Sequence, residues 1–290
     1  MTTLSGVWLP IVTPFHGGVV DFVSYEKLIE HYIAAGISGI FPLGTTGESP
    51  TLDDDESEAL IERMLGVVAG RLPVFVGIGG NSTAKTLKML SRLDRYDFAG
   101  IVSVCPYYNR PPQDGLREHF LRIAEATDRQ IVIYNIPYRT GVNLANDTLL
   151  ELAERPNIVG VKDSSGNLAQ SIELLRRRPA GFSVMTGEDN YYYTTLAHGG
   201  DGGILASAHL ETGAFVSVYE RMLANDHRGA RRIWSGLETL VPLLFREANP
   251  MPIKYCLWRQ GLLRSPECRL PLARVSSALA AELDRAIGYG

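Results

Sequence analysis

Five lysines stand in the 290-residue chain, and the position of one suits nucleophilic chemistry. Lys27, Lys85 and Lys88 fall on stretches of helical period and Lys254 opens a helix near the C-terminus. Lys162 alone terminates a short apolar run, Ile158-Val159-Gly160-Val161. An ordinary lysine, with a pKa of about 10.4, is roughly one part in a thousand neutral near pH 7.5. Burial disfavours the charged form and frees an amine to attack a carbonyl. Spacing alone leaves a salt bridge with Asp163 or a neighbouring glutamate equally open.

Other groups with chemical potential also follow apolar runs. Tyr134 ends Ile131-Val132-Ile133. Its phenol is either a proton shuttle for imine chemistry or a packed aromatic with a hydrogen-bonded hydroxyl. Thr45 and Thr46, between Gly44 and Gly47, offer two hydroxyls and backbone N–H groups to a small carboxylate. The turn is no phosphate loop, because the lysine of that motif is missing. Arg139, after Tyr134-Asn135-Ile136-Pro137, is either a two-pronged carboxylate clamp or a solvated loop residue. Six scattered histidines lack metal-ligand spacing, and no GxSxG elbow is present.

These residues need elements to position them. Short Val- and Ile-rich runs recur at Val7–Val12, Gly39–Leu43, Val74–Ile78, Ile101–Cys105, Ile131–Tyr134, Ile158–Val161, Ser183–Met185 and Gly203–Ala206. Apolar on both faces, they read as parallel strands buried on both sides. Helical-period segments lie between them, with Asp53 and Ser82 as N-caps and Gly36 as a stop signal. Eight such units predict an α/β fold, a (βα)8 TIM barrel over residues 1–225 carrying the active site. An open doubly wound sheet is the alternative, but the first strand lacks a following GxGxxG. Residues 226–290 read as a helical extension packed on the barrel, with helices over His227–Glu247, Pro252–Gly261 and Leu272–Ile287.

Composition narrows the class further. A hydrophobic fraction of 45% and a charged fraction of 21% are those of a globular chain, and the net charge of -4 disfavours nucleic acid as a partner. No run approaches the roughly 18 apolar residues of a membrane span. Three widely spaced cysteines and a start without a leader pattern lead to the expectation of a cytoplasmic protein with reduced thiols.

Taken jointly, Gly44-Thr45-Thr46-Gly47-Glu48, Tyr134-Asn135-Ile136-Pro137, Lys162-Asp163-Ser164-Ser165-Gly166 and Asn249-Pro250-Met251-Pro252-Ile253-Lys254 closely resemble a known family. It is the dihydrodipicolinate synthase / N-acetylneuraminate lyase family of class I pyruvate aldolases, and the resemblance runs from Gly6 to about Leu263. It implies that Lys162 forms a Schiff base with pyruvate. Tyr134, Thr45 and Tyr108 would relay protons, Tyr108 reaching in from a neighbouring subunit of a homotetramer. Thr45 and Thr46 would hold the pyruvate carboxylate, while the Gly187 region and the Ile204 carbonyl line the pocket. No metal or organic cofactor is implied, since the amine is itself the electron sink.

Tyr107-Tyr108-Asn109-Arg110-Pro111 and Arg139-Thr140-Gly141 are similar to the synthase branch. There the arginine binds the carboxylate of the acceptor, L-aspartate-4-semialdehyde. The bulky Tyr138 departs from that pattern and keeps open an aldolase or dehydratase acting on another aldehyde or keto-deoxy sugar acid. A third reading is a catalytically silent barrel that senses a keto acid; the intact Lys162, Tyr134, Thr45 and Tyr108 argue against it. Lys85 stands where lysine-inhibited relatives carry a carboxylate, so weak or absent inhibition by lysine is expected.

Overall fold

The computed structural model describes residues 4–289. The described residues form ten strands: β1 (Gly6–Pro10), β2 (Phe15–His16), β3 (Val19–Val20), β4 (Gly39–Phe41), β5 (Phe75–Gly77), β6 (Gly100–Val104), β7 (Gln130–Asn135), β8 (Ile158–Asp163), β9 (Ser183–Thr186) and β10 (Gly202–Ile204). β2 and β3 form an antiparallel hairpin whose two central residues, Gly17 and Gly18, both have positive φ, as a tight two-residue turn requires. The other eight strands form one sheet in the order β4-β1-β10-β9-β8-β7-β6-β5. A parallel bridge between Ile40 and Val74 joins β4 to the residue before β5 and closes that order on itself. With helices in the connections, this is the (βα)8 barrel that the alternation of runs predicts.

The described residues divide into two compact units, 4–6 with Phe75–Ile204, and Val7–Val74 with 205–289. In the first, β6, β7 and β8 have almost wholly buried backbones and apolar side chains on both faces, as strands covered by helices should. Their register places Val104 opposite Tyr134, and Tyr134 opposite Lys162. Registered neighbours in a parallel sheet project to the same face, so the pairing alone brings the phenol beside the amine.

The second unit holds β1, the hairpin, β4 and the C-terminal helices. Asp53 caps the helix Asp54–Val68 through a reciprocal capping box with Glu56. Ser82 occupies the N-cap position of the helix Thr83–Leu93, in the first unit, without a side-chain bond to it. Beyond residue 225 the expected helices are real but shorter. His227–Glu247 is broken into His227–Leu237 and Leu240–Leu243, because the Pro242 ring would clash with the carbonyl four residues earlier in a continuous helix. The last helix starts only at Ser277, capped by the Ser276 hydroxyl. The cysteines are free thiols, two of them buried. Among the described residues no helix is long and apolar enough to cross a membrane.

Candidate active site

Lys162 is the penultimate residue of β8 and is 5% exposed. Its Nζ lies 4.2 Å from the ring centroid of Tyr134, itself 7% exposed. Burial drives the lysine pKa down to about 7; the Asp189 carboxylate opposes that shift and the Arg139 guanidinium adds to it. Near neutral pH a substantial share of the amine is therefore free base, the nucleophilic form. Burial pushes the Tyr134 phenol up instead, with Tyr138 and Asp189 acting the same way and Ser164 and Arg139 against it. Tyr134 thus keeps its proton across the working range and can lend it to a developing alkoxide.

The residue after β9 fixes how closely these groups pack. A Cβ on Gly187 would stand 2.7 Å from Lys162 Cε and 2.8 Å from its Cγ, and would collide with the Ser164 hydroxyl. Any larger side chain must displace the lysine. The Gly187 N–H donates to the Asp163 carbonyl at 2.7 Å, locking the two strand ends together. The Asp163 carboxylate accepts from the Ser165 N–H at 2.9 Å and the Ser171 hydroxyl at 2.5 Å, so it organises the loop after β8.

Arg139 lies on a one-turn helix, Pro137–Thr140, directly after β7. Asn135 fixes the same connection from the strand end, accepting from the Leu144 N–H at 3.0 Å and donating to Asn143 at 2.8 Å. The Arg139 guanidinium carbon is 5.4 Å from the centroid of the Tyr138 ring, and both side chains are exposed. Tyr108 is 88% exposed, with φ +73° and its N–H 3.4 Å from the Thr140 carbonyl. Within one chain it is therefore not buried with Lys162 and Tyr134. Ile204, the last residue of β10, is buried.

Thr45 and Thr46 belong to the other compact unit. Two overlapping turns shape their backbone, Gly47 N–H to the Gly44 carbonyl at 3.1 Å and Glu48 N–H to the Thr45 carbonyl at 3.0 Å. Thr46 is buried, and its Oγ1 accepts from Asn249 Nδ2 at 3.0 Å. Glu48 adopts a left-handed φ of +53° and aims its carboxylate inward, where Lys254 Nζ meets it at 2.6 Å with both side chains fully buried.

Sequence reasoning gives Asp189, Asn249 and Lys254 no role. Asp189 follows Gly187 at a strand end, the same signal that singles out Lys162. Asn249 and Lys254 sit more than 200 residues from the turn that they touch. Among the described residues no group of three or more His, Cys, Asp or Glu side chains is arranged to hold a metal ion.

Comparison with known proteins bears on what this arrangement is. The model of the dihydrodipicolinate synthetase family matches residues 3–288. The chain is 51% identical over 282 residues to 4-hydroxy-tetrahydrodipicolinate synthase 2 of Clostridium acetobutylicum, covering 97% of this chain and 99% of that one. It superposes on the crystal structure of the dihydrodipicolinate synthase of Aquifex aeolicus with a TM-score of 0.95 at 36% identity, covering 98% and 97% of the two chains. A dihydrodipicolinate synthase variant characterised as the first monomeric one gives a TM-score of 0.95 at 35% identity, covering 100% and 98%. With its fold, its strand-end lysine and nearly its whole length accounted for, the chain belongs to the dihydrodipicolinate synthetase family.

Proposed function

We propose that the chain condenses pyruvate with L-aspartate-4-semialdehyde to give 4-hydroxy-tetrahydrodipicolinate, the entry to lysine and diaminopimelate. The observation that carries this is the buried Lys162 amine, set near pH 7 and in contact with the Tyr134 ring. The neutral amine adds to the pyruvate carbonyl, and uptake of one proton with loss of water leaves an iminium. That cation draws electrons from C3, which releases a proton and becomes an enamine carbon. The enamine attacks the aldehyde, whose oxygen takes up a proton, and cyclisation through the substrate amine displaces Lys162 unchanged.

In this reading Tyr134, Thr45 and Tyr108 pass the protons. Thr45 and Thr46 bind the pyruvate carboxylate, and Arg139 binds the carboxylate of the aldehyde. The Gly187 backbone and the Ile204 carbonyl line the substrate site. The 88% exposure of Tyr108 leaves it available to a neighbouring subunit, and the reading includes a homotetramer in the cytoplasm. Tyr108→Phe should then cut turnover while leaving Schiff-base trapping largely intact.

Turnover with both substrates, coupled to the NADPH-dependent reductase that consumes the product, tests the acceptor. Tyr138, 66% exposed and facing the Arg139 guanidinium, favours keeping a second reading in view: the same imine with another aldehyde or keto-deoxy sugar acid. Borohydride trapping of pyruvate on Lys162 without turnover of the semialdehyde would select it.

A further inference from the structure

The turn Thr45-Thr46-Gly47-Glu48 is held at both ends by one short stretch near the C-terminus. Asn249 bonds to Thr46 at one end, and Lys254 pairs with Glu48 at the other. Asn249 lies just before the helix Met251–Arg259 and Lys254 in its first turn, which the Lys254 N–H joins to the Pro250 carbonyl at 2.9 Å. The two holds are therefore mechanically one.

The direction of the Asn249 bond matters. An amide NH2 only donates, so Thr46 Oγ1 must accept from it. Among the described residues no protein acceptor takes the hydroxyl proton of Thr46, which leaves it for an anion. Glu48 is held just as specifically. A side chain with a Cβ disfavours left-handed backbone, so φ +53° persists only where contacts over-determine it. Lys254 supplies one contact to Oε1 and the Arg269 N–H a second to Oε2 at 2.9 Å. Arg269 is in turn clamped on both oxygens of Glu56, at 2.5 and 2.6 Å. Both Glu48 oxygens are thus committed, which suits a structural anchor and not an acid or base.

We propose that Asn249 and Lys254 are positioning residues for the keto-acid carboxylate, holding the turn so that the Thr46 hydroxyl presents its proton and not its lone pair. This rests on the pyruvate chemistry proposed above, though not on the identity of the acceptor aldehyde.

Borohydride trapping of pyruvate on the full chain, titrated with pyruvate and read by mass, tests it through the first half-reaction only. Asn249→Ala should raise the half-saturating pyruvate roughly tenfold, with the adduct at saturating pyruvate within about twofold of the parent. Thr46→Val should do the same, and the double variant should add less than about twofold to the larger single effect. Asn249→Asp preserves shape but accepts the Thr46 proton, so it should bind pyruvate more weakly than Asn249→Ala. A purely structural role predicts the opposite rank. Glu48→Gln combined with Lys254→Met removes both charges and leaves none buried alone, and it should weaken pyruvate severalfold.

Half-saturation within about twofold of the parent for Asn249→Ala or for the Glu48/Lys254 double overturns the role of that hold. Additive effects with Thr46→Val, or an Asp variant milder than the Ala variant, overturn the hydroxyl orientation. Each of these leaves the proposed function standing. Absence of any adduct on the parent chain overturns the function and this inference together.

Discussion

If burial sets Lys162 near pH 7, imine formation must follow that titration. At pH 7 about half of the Lys162 amine is free base, against roughly 0.04% for a solvated lysine of pKa about 10.4, an advantage of about a thousandfold. The rate of pyruvate trapping by borohydride, at sub-saturating pyruvate, should climb about tenfold per pH unit at acid pH and level off above an inflection near 7. Asp189 opposes the shift with its negative charge, so Asp189→Asn should move the inflection to lower pH. An inflection above about pH 9, or one that Asp189→Asn moves upward, refutes the reasoning. Linkage gives a second readout. The unfolded chain binds this proton below about 10.4 and the folded chain only below about 7. Between those values the unfolded state holds more protons, so stability rises with pH across that window. The penalty is complete below about pH 7, and Lys162→Met should relieve on the order of 4 kcal/mol of it, measured as a denaturant midpoint at pH 6.

Three further outcomes follow from particular contacts. Gly187→Ala places a methyl 2.7 Å from Lys162 Cε, so trapping by mass should fall at least about a hundredfold while the far-ultraviolet spectrum stays that of the parent; near-normal trapping would show that the strand ends yield. Arg139→Ala should raise the KM for the semialdehyde roughly 10- to 100-fold, the worth of a charge-assisted bond, and leave the half-saturation for pyruvate trapping within about threefold. Lys85 is exposed on the helix Thr83–Leu93, and its cation should keep turnover insensitive to millimolar lysine; sub-millimolar inhibition in the coupled assay would contradict this.

What the sequence disclosed depended on the range of the interaction. The apolar run before Lys162 announces a doubly buried strand, and a polar residue ending such a strand in a (βα)8 barrel lies at the chemical face, so position makes the lysine a candidate while leaving a salt bridge equally open. Tyr134 is found the same way, and the β7–β8 register then brings it to Lys162 without any further signal. Lys254 shows the limit. Its helical surroundings read as an ordinary amphipathic stretch, and nothing local reveals a partner 206 residues away. The helix that ends early near Pro242 has another cause: hydrophobic period survives a proline that the backbone cannot. Tyr108 is a third case. A family motif marks it, but a single chain leaves it exposed, so nothing within one chain speaks for the role proposed for it.

The two buried lysines show how neighbours decide what burial does to an amine. Lys162 and Lys254 are both withdrawn from water, at 5% and 0% exposure. Taking an ammonium out of water is costly, and a fold can meet that cost by supplying a counter-charge or by letting the proton go. At Lys254 the counter-charge is direct: Glu48 Oε1 lies 2.6 Å from Nζ, and the Phe15 ring lies 4.3 Å from it. Such a pair fixes geometry, and removing one partner strands the other. At Lys162 the Asp189 carboxylate only partly offsets burial, the Arg139 cation works against it, and the proton is released near neutrality. The same residue type is thereby ion-paired in one place and, in the reading proposed above, a nucleophile in the other. A glutamate introduced beside Lys162, as in Gly187→Glu, would add the counter-charge and the clash at once, whereas Glu48→Gln removes the counter-charge from Lys254 without opening a route to a substrate. Borohydride with pyruvate should accordingly label Lys162 in the parent and still leave Lys254 unlabelled in Glu48→Gln, because a fully buried side chain is not reached by the keto acid.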